Sequence, residues 1–191
     1  DIHSARPLDE GQRREVEAAL GRVTGKQVFG QYAVDEALIG GLVARDQLVG
    51  PYQVPVADCA VVADDFMSHG GQAMALGERA PLALINPASA ARLALGEALT
   101  NLVAADVNAL SDVVLSANWM GALSQPGEGL ALYAAVQALC EDLCPRWKLA
   151  IPVGKDSLSM QVDWAEGHVR SPLSLIITAT AKVGDIRRSL T

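Results

Sequence analysis

The chain has 191 residues, half of them apolar and only 4% aromatic, with Gly and Ala abundant and a formal charge of −7. That length suits one domain with a real core, and the composition is globular rather than disordered or fibrous. The acidic balance argues against a dedicated nucleic-acid surface, although backbone amides and metal ions still allow phosphate ligands. No apolar run approaches the roughly 18 residues that span a bilayer. The polar start "DIHSARPLDEGQRR" lacks the blocks of a signal peptide. Three cysteines, Cys59, Cys140 and Cys144, form a sparse odd set that fits a reducing, cytoplasmic setting. A first residue other than Met and the ending "GDIRRSLT" read as a piece of a larger protein.

In chain order, Asp9 as a cap and helical apolar spacing predict a helix over Leu8–Val23, while residues 24–39 show no period. From Gly40, "GGLVARDQLVGPYQVPVADCAVVAD" alternates and is punctuated by Gly50-Pro51 and Pro55, predicting two strands with a turn. "GGQAMALGERAPLALIN" reads as a loop followed by a buried strand, and Ala88–Ala105 as a helix capped by Asn86 or Ser89. "DVVLSANWM" reads as a strand and "SQPGEG" as a loop. "LALYAAVQALCEDLC" reads as a helix ended by Pro145. "LAIPVGKDSLSMQVDW" and "SPLSLIITATAKV" complete the list as two strands joined by a polar turn. The irregular mixture implies a single α/β (α+β) domain with a mixed sheet flanked by helices.

The helix at "ARLALGEALTNLVAAD" carries the chemistry. Ala90, Ala94, Glu97, Ala98 and Asn101 share one face, and residues four apart lie about 5–6 Å apart at Cβ. A carboxylate and a carboxamide so placed can hold one hard cation such as Mg²⁺, which takes a few protein oxygens and fills its shell with water and phosphate. A third oxygen is available from Asp58, a lone carboxylate in the apolar run "VPVADCAVV". The alternative is that Glu97 pairs with an Arg and Asn101 is simply exposed. In "GKDS", Gly154 permits close backbone approach, Lys155 offers charge to phosphate and Ser157 a hydroxyl; a polar strand edge explains them equally. Arg45 and Asp46 form an internal ion pair or a site pair. Cys140 and Cys144 read as buried helix positions, His3, His69 and His168 as solvated, and Trp119, Trp147 and Trp164 as packing residues. No cysteine has the His-partnered context of a glutaminase nucleophile, so no catalytic residue is assigned.

The ordered blocks "GGLVARDQLVGPYQVPVADCAVV", "GERAPLALINPASAARLALGEALTN", "LSANWM", "PGEGLALYAAVQALCEDLCP", "IPVGKDSLSM" and "SPLSLIITATAKV" closely resemble the large-form phosphoribosylformylglycinamidine synthase family. The resemblance covers Gly40 to Thr191. It divides the chain into a divergent lead-in, 1–39, and a domain, 40–191, similar to the second N-terminal-type domain of the aminoimidazole-ribonucleotide-synthetase superfamily. "GKQVFGQYAVDEALI" replaces the family's strand ending in "GDR". By this resemblance Asp58, Glu97 and Asn101 match Mg²⁺ ligands and Ala57 a nucleotide contact. Gly154, Lys155 and Ser157 stay candidate substrate or phosphate contacts, since the equivalent residues differ in smaller relatives.

The family's reaction is an ATP-dependent C–N ligation. Formylglycinamide ribonucleotide, ATP and glutamine become the amidine, ADP, phosphate and glutamate, with ammonia delivered by a separate glutaminase domain. The implied ligands are Mg²⁺ and ATP or ADP. The implied partners are the remaining synthase domains and, for an isolated copy, a second copy of itself, with neither nucleic acid nor membrane. The competing expectation is a non-catalytic scaffold that pairs with a sister domain and holds nucleotide structurally or not at all. In either case the isolated chain is expected to be inactive as a synthetase and as a glutaminase.

Overall fold

The computed structural model describes residues 41–46 and 48–190, so the helix expected at Leu8–Val23 and the lead-in 1–39 lie outside the described residues. The strands are β1 (Val43–Arg45), β2 (Cys59–Ala63), β3 (Gly71–Glu78), β4 (Val114–Met120), β5 (Ala150–Ser157), β6 (Gln161–Trp164), β7 (Gly167–Arg170) and β8 (Ser174–Val183). Six of them form one mixed sheet in the order β1-β2-β3-β8-β4-β5, antiparallel except for the parallel pair β4–β5. β6 and β7 make a separate hairpin, so "LAIPVGKDSLSMQVDW" is two strands rather than one.

Helices cover one face of the sheet. α1 is the single turn Ala80–Ala83, and α2 spans Pro87–Leu102. Asn86 caps α2 by accepting the Ser89 N–H at 2.9 Å, with Pro87 at the first turn where its missing donor costs nothing. α3 (Glu128–Val136) continues through a π-helical stretch, Gln137–Leu143, into α4 (Cys144–Trp147). Pro145 therefore does not end this helix. It falls in the first turn after the π stretch, a position that tolerates a residue without an N–H.

β3 corrects a third expectation. Its alternation is strict: Gly71, Ala73, Ala75 and Gly77 point into the core, while Gln72, Met74, Leu76 and Glu78 face out. "GGQAMALGE" is thus the strand. The apolar run after it turns into α1 because Pro81 favours a helical first turn, and its Leu84 and Ile85 are exposed. The inward residues of β3 are small for a reason. A Cβ on Gly77 would stand 2.2 Å from the Ala94 carbonyl oxygen and 2.4 Å from the Ala98 nitrogen. Strand and helix backbones touch there, and Ala90, Ala94 and Ala98 supply the matching seam. Leu95, Leu115, Leu139 and Ile177 fill the rest of the core.

Among the described residues, no helix covers the opposite sheet face. Met74, Leu76, Val114 and Val153 are exposed on it, and strand register aligns Glu78, Ile176, Asn118 and Lys155 in one row across it. No helix among the described residues is long and apolar enough to cross a membrane. Gly77→Ala should destabilise the fold by about 3 kcal/mol, because the added methyl has no space between two backbones. Urea unfolding checks this, and a loss under about 1 kcal/mol would contradict the seam.

Candidate functional site

The end of β3 organises the site. Successive residues of a strand present their N–H and C=O to opposite sides, so Leu76 and Glu78 address the β2 side while Gly77 addresses β8. β2 runs out first: its pairing with β3 ends at Cys59 opposite Ala75, and the Leu76 N–H takes the Asp58 carbonyl at 3.0 Å. Beyond that point the edge has no strand partner among the described residues, so its backbone donors and acceptors are left to side chains or water. Helix α2 fills the gap with side chains. Asn101 Nδ2 donates to the Leu76 carbonyl at 2.8 Å, and Glu97 Oε2 accepts the Glu78 N–H at 3.0 Å. The close contact at Gly77 brings the helix within reach of both.

Asp58, Glu97 and Asn101 therefore converge on one three-residue stretch of β3, Asp58 through its backbone. Two parts of the expectation change. Asp58 is exposed in the bend before β2 rather than inside a strand, so its carboxylate stays hydrated and needs no partner. Glu97 does pair with an arginine: Arg79 Nη2 lies 3.1 Å from Oε1. Asn101, by contrast, is half-buried and bonded, not simply exposed. The donor set remains hard oxygen, which fits Mg²⁺ chemically, and a cationic group already stands beside Glu97. No group of three or more His, Cys, Asp or Glu able to hold a metal occurs among the described residues, so a trio here depends on the Asn101 carboxamide. Ala57 is half-buried beside Asp58, packed against the core.

Gly154, Lys155 and Ser157 lie elsewhere. They sit on the edge strand β5, three strand spacings from β3, or about 14 Å. Lys155 and Ser157 face the open side with Asn118 and Met120, whereas Gly154 pairs with Ala117, where a Cβ would meet the Ala117 carbonyl at 3.2 Å. An exposed lysine is also what an edge strand uses to discourage unwanted pairing.

Arg45 is a buried residue whose contacts are structural. It is 2% exposed and makes no ion pair with Asp46. Its guanidinium donates to the carbonyls of Leu190 (2.5 Å), Asp46 (2.9 Å) and Cys59, while the Asp46 carboxylate accepts the Leu48 N–H at 2.6 Å. Arg45 thus ties β1 to the start of β2, beside Asp58. Arg79 was missed; the "GERAP" block contains it, but only the fold shows that it reaches Glu97. Of the cysteines, Cys144 is buried as expected, and burial pushes its thiol up to about 11. Cys140 is exposed, against expectation. Trp119 packs on the core, whereas Trp147 and Trp164 are exposed. His69 and His168 are exposed as expected, and His3 lies outside the described residues.

Three outcomes follow from this geometry. Asn101→Leu strands the Leu76 carbonyl and should cost about 1 kcal/mol in chemical unfolding. Glu97→Ala should cost a similar amount through the Glu78 N–H, more than relief of repulsion from Asp58 would offset. At pH 8 a thiol reagent should modify Cys140 well before Cys144: both thiols are pushed up, but Cys144 to about 11, and its burial blocks access; equal rates would contradict the placement of α4.

The family model described as "FGAR-AT PurM_N-like domain" matches residues 29–182. A model described as "ATP synthase delta (OSCP) subunit" matches residues 1–47, about a quarter of the chain. Among solved structures, PurLQS from Thermotoga maritima is similar with a TM-score of 0.57 and 20% identity, over 81% of this chain and 24% of that one. T. maritima PurL complexed with ATP is similar with a TM-score of 0.52 and 20% identity, over 71% and 21%. The same protein complexed with FGAR gives 0.54 and 18%, over 72% and 22%. At such identities the likeness to these structures is one of fold, and the chain spans about a quarter of their length. The match over most of its residues shows that the chain belongs to the FGAR-AT PurM_N-like domain family.

Proposed function

We propose that this chain is a domain of a purine-biosynthesis FGAR amidotransferase, a C–N ligase, and contributes a Mg²⁺–nucleotide site at the end of β3. In this reading it is the second N-terminal-type domain of the synthase and works in the cytoplasm beside the remaining synthase domains. The observation that carries the proposal is the convergence of Asp58, Glu97 and Asn101 on Leu76–Glu78. The neighbouring T. maritima PurL complexes with ATP, ADP and AMPPCP support a nucleotide as the ligand class. Asp58, Glu97 and Asn101 would hold Mg²⁺ through oxygen, with Ala57 beside the nucleotide. When bound, the ion offsets phosphate charge, a purely electrostatic contribution. This chain's residues orient that site. Ammonia release belongs to a partner domain, because none of the three cysteines has the setting of a glutaminase nucleophile. Gly154, Lys155 and Ser157, on the far edge, would serve as phosphate or substrate contacts only across the open face.

A scaffold role is the second reading, and the open face favours it. Its exposed Met74, Leu76, Val114 and Val153 form an apolar surface of the kind that seeks cover, from a sister domain or from a second copy of the chain.

Isothermal titration of the chain with Mg·ADP separates the two readings. Saturable binding that Glu97→Gln weakens about tenfold or more supports the site, while binding indifferent to Glu97→Gln sinks it. The chain alone should form no amidine from FGAR, ATP and glutamine. Sedimentation should show dimers that Leu76→Lys dissociates; a clean monomer at high concentration would remove the pairing role for an isolated copy.

A further inference from the structure

We infer that Arg79 is the internal counter-cation of Glu97: it occludes the carboxylate in the ligand-free chain and, once displaced, faces the phosphates of the incoming nucleotide. The inference rests on the reading of Glu97 as a cation ligand and adds a residue to that site.

Both oxygens of Glu97 are engaged, and by consecutive residues. Oε2 takes the Glu78 N–H at 3.0 Å and Oε1 lies 3.1 Å from Arg79 Nη2. The two contacts differ in kind. The Glu78 amide belongs to β3 and cannot leave without fraying the strand. Among the described residues, the Arg79 side chain has no recorded polar partner besides Glu97, while its carbonyl accepts the Leu82 N–H at 3.0 Å and anchors α1. Its side chain is 53% exposed against 25% for that of Glu97, so the arm can pivot into solvent while the carboxylate stays.

Energetics set the direction of exchange. An exposed ion pair contributes only about 0–1 kcal/mol, little enough for a divalent cation that brings its own phosphates to displace. Asn101 has its nitrogen committed to Leu76, and its side-chain oxygen accepts no hydrogen bond among the described residues, so it remains available beside Glu97. A displaced guanidinium then stands next to the anion that arrived with the cation, and a planar fork of donors suits phosphate oxygens. Arg79 thus opposes the bare metal and favours the metal–nucleotide, which selects for the pair over free cation.

This predicts effects of opposite sign from one substitution. In the full chain, Arg79→Gln should tighten Mn²⁺ binding, read by electron paramagnetic resonance without nucleotide, by about three- to tenfold. The same variant should weaken Mg·ADP binding by a similar factor, while Arg79→Lys, which keeps the charge but not the fork, should hold Mn²⁺ affinity near the parent and recover Mg·ADP affinity only in part. A structural role alone would move both affinities together. Unchanged or weaker Mn²⁺ binding in Arg79→Gln overturns the inference, as does Mn²⁺ binding undetectable in both proteins. If Glu97→Gln weakens Mg·ADP binding under those same outcomes, only the role of Arg79 falls. If Glu97→Gln leaves both ligands untouched, the site itself is misassigned, and this inference falls with it.

Discussion

Contact between two backbones at Gly77 governs the architecture. Side chains normally keep a helix about 10 Å from a sheet, as they do between packed sheets. Here a glycine on the strand and alanines at 90, 94 and 98 on the helix remove that spacer. Closeness has a geometric yield: a helix this near can reach past the strand's flank with side chains of modest length. Glu97 and Asn101 do so, meeting groups on β3 that β2 leaves unpaired. The core seam and the candidate site are therefore one construction, not a scaffold with a site added.

That construction gives Glu97 and Asn101 two meanings at once. As structural groups they complete a strand edge, and as oxygen donors they sit where a cation and nucleotide are proposed. The two roles are compatible because each side chain uses only part of its capacity. Asn101 spends its nitrogen on Leu76 and Glu97 spends one oxygen on Glu78. What remains faces outward, with Arg79 beside it. Buried Arg45, binding three carbonyls, steadies the neighbouring start of β2, where Asp58 emerges.

The helix α2, its Asn86 cap and the shared face of Glu97 and Asn101 were legible in the sequence, because a 3.6-residue period and a cap are local signals. So were the strands β1, β2, β4 and β8. The exchange of strand and loop at β3 was not. Its inward residues are Gly and Ala, too small to announce a hydrophobic face, while the more apolar "PLALI" that follows leaves Leu84 and Ile85 exposed. The role of Arg79 was equally hidden, since its partner lies 18 positions on, a separation no local pattern reports. The sequence argument for Asp58 rested on a buried strand position, but the strand begins one residue later, so desolvation never applied.

The π-helical stretch Gln137–Leu143 carries a different implication, about how the chain can vary in length. A π turn holds one residue more than an α turn over a similar rise, so it stores an insertion within an otherwise continuous rod. Removing one residue there tightens the turn instead of rotating everything beyond it. Pro145, just past the stretch, keeps its place at the head of α4 in either form. Ala135 before the stretch and Cys144 after it both reach the core, as does Leu139 within it. Between these fixed points, single-residue insertions and deletions among related chains can accumulate without disturbing the helix layer over the sheet.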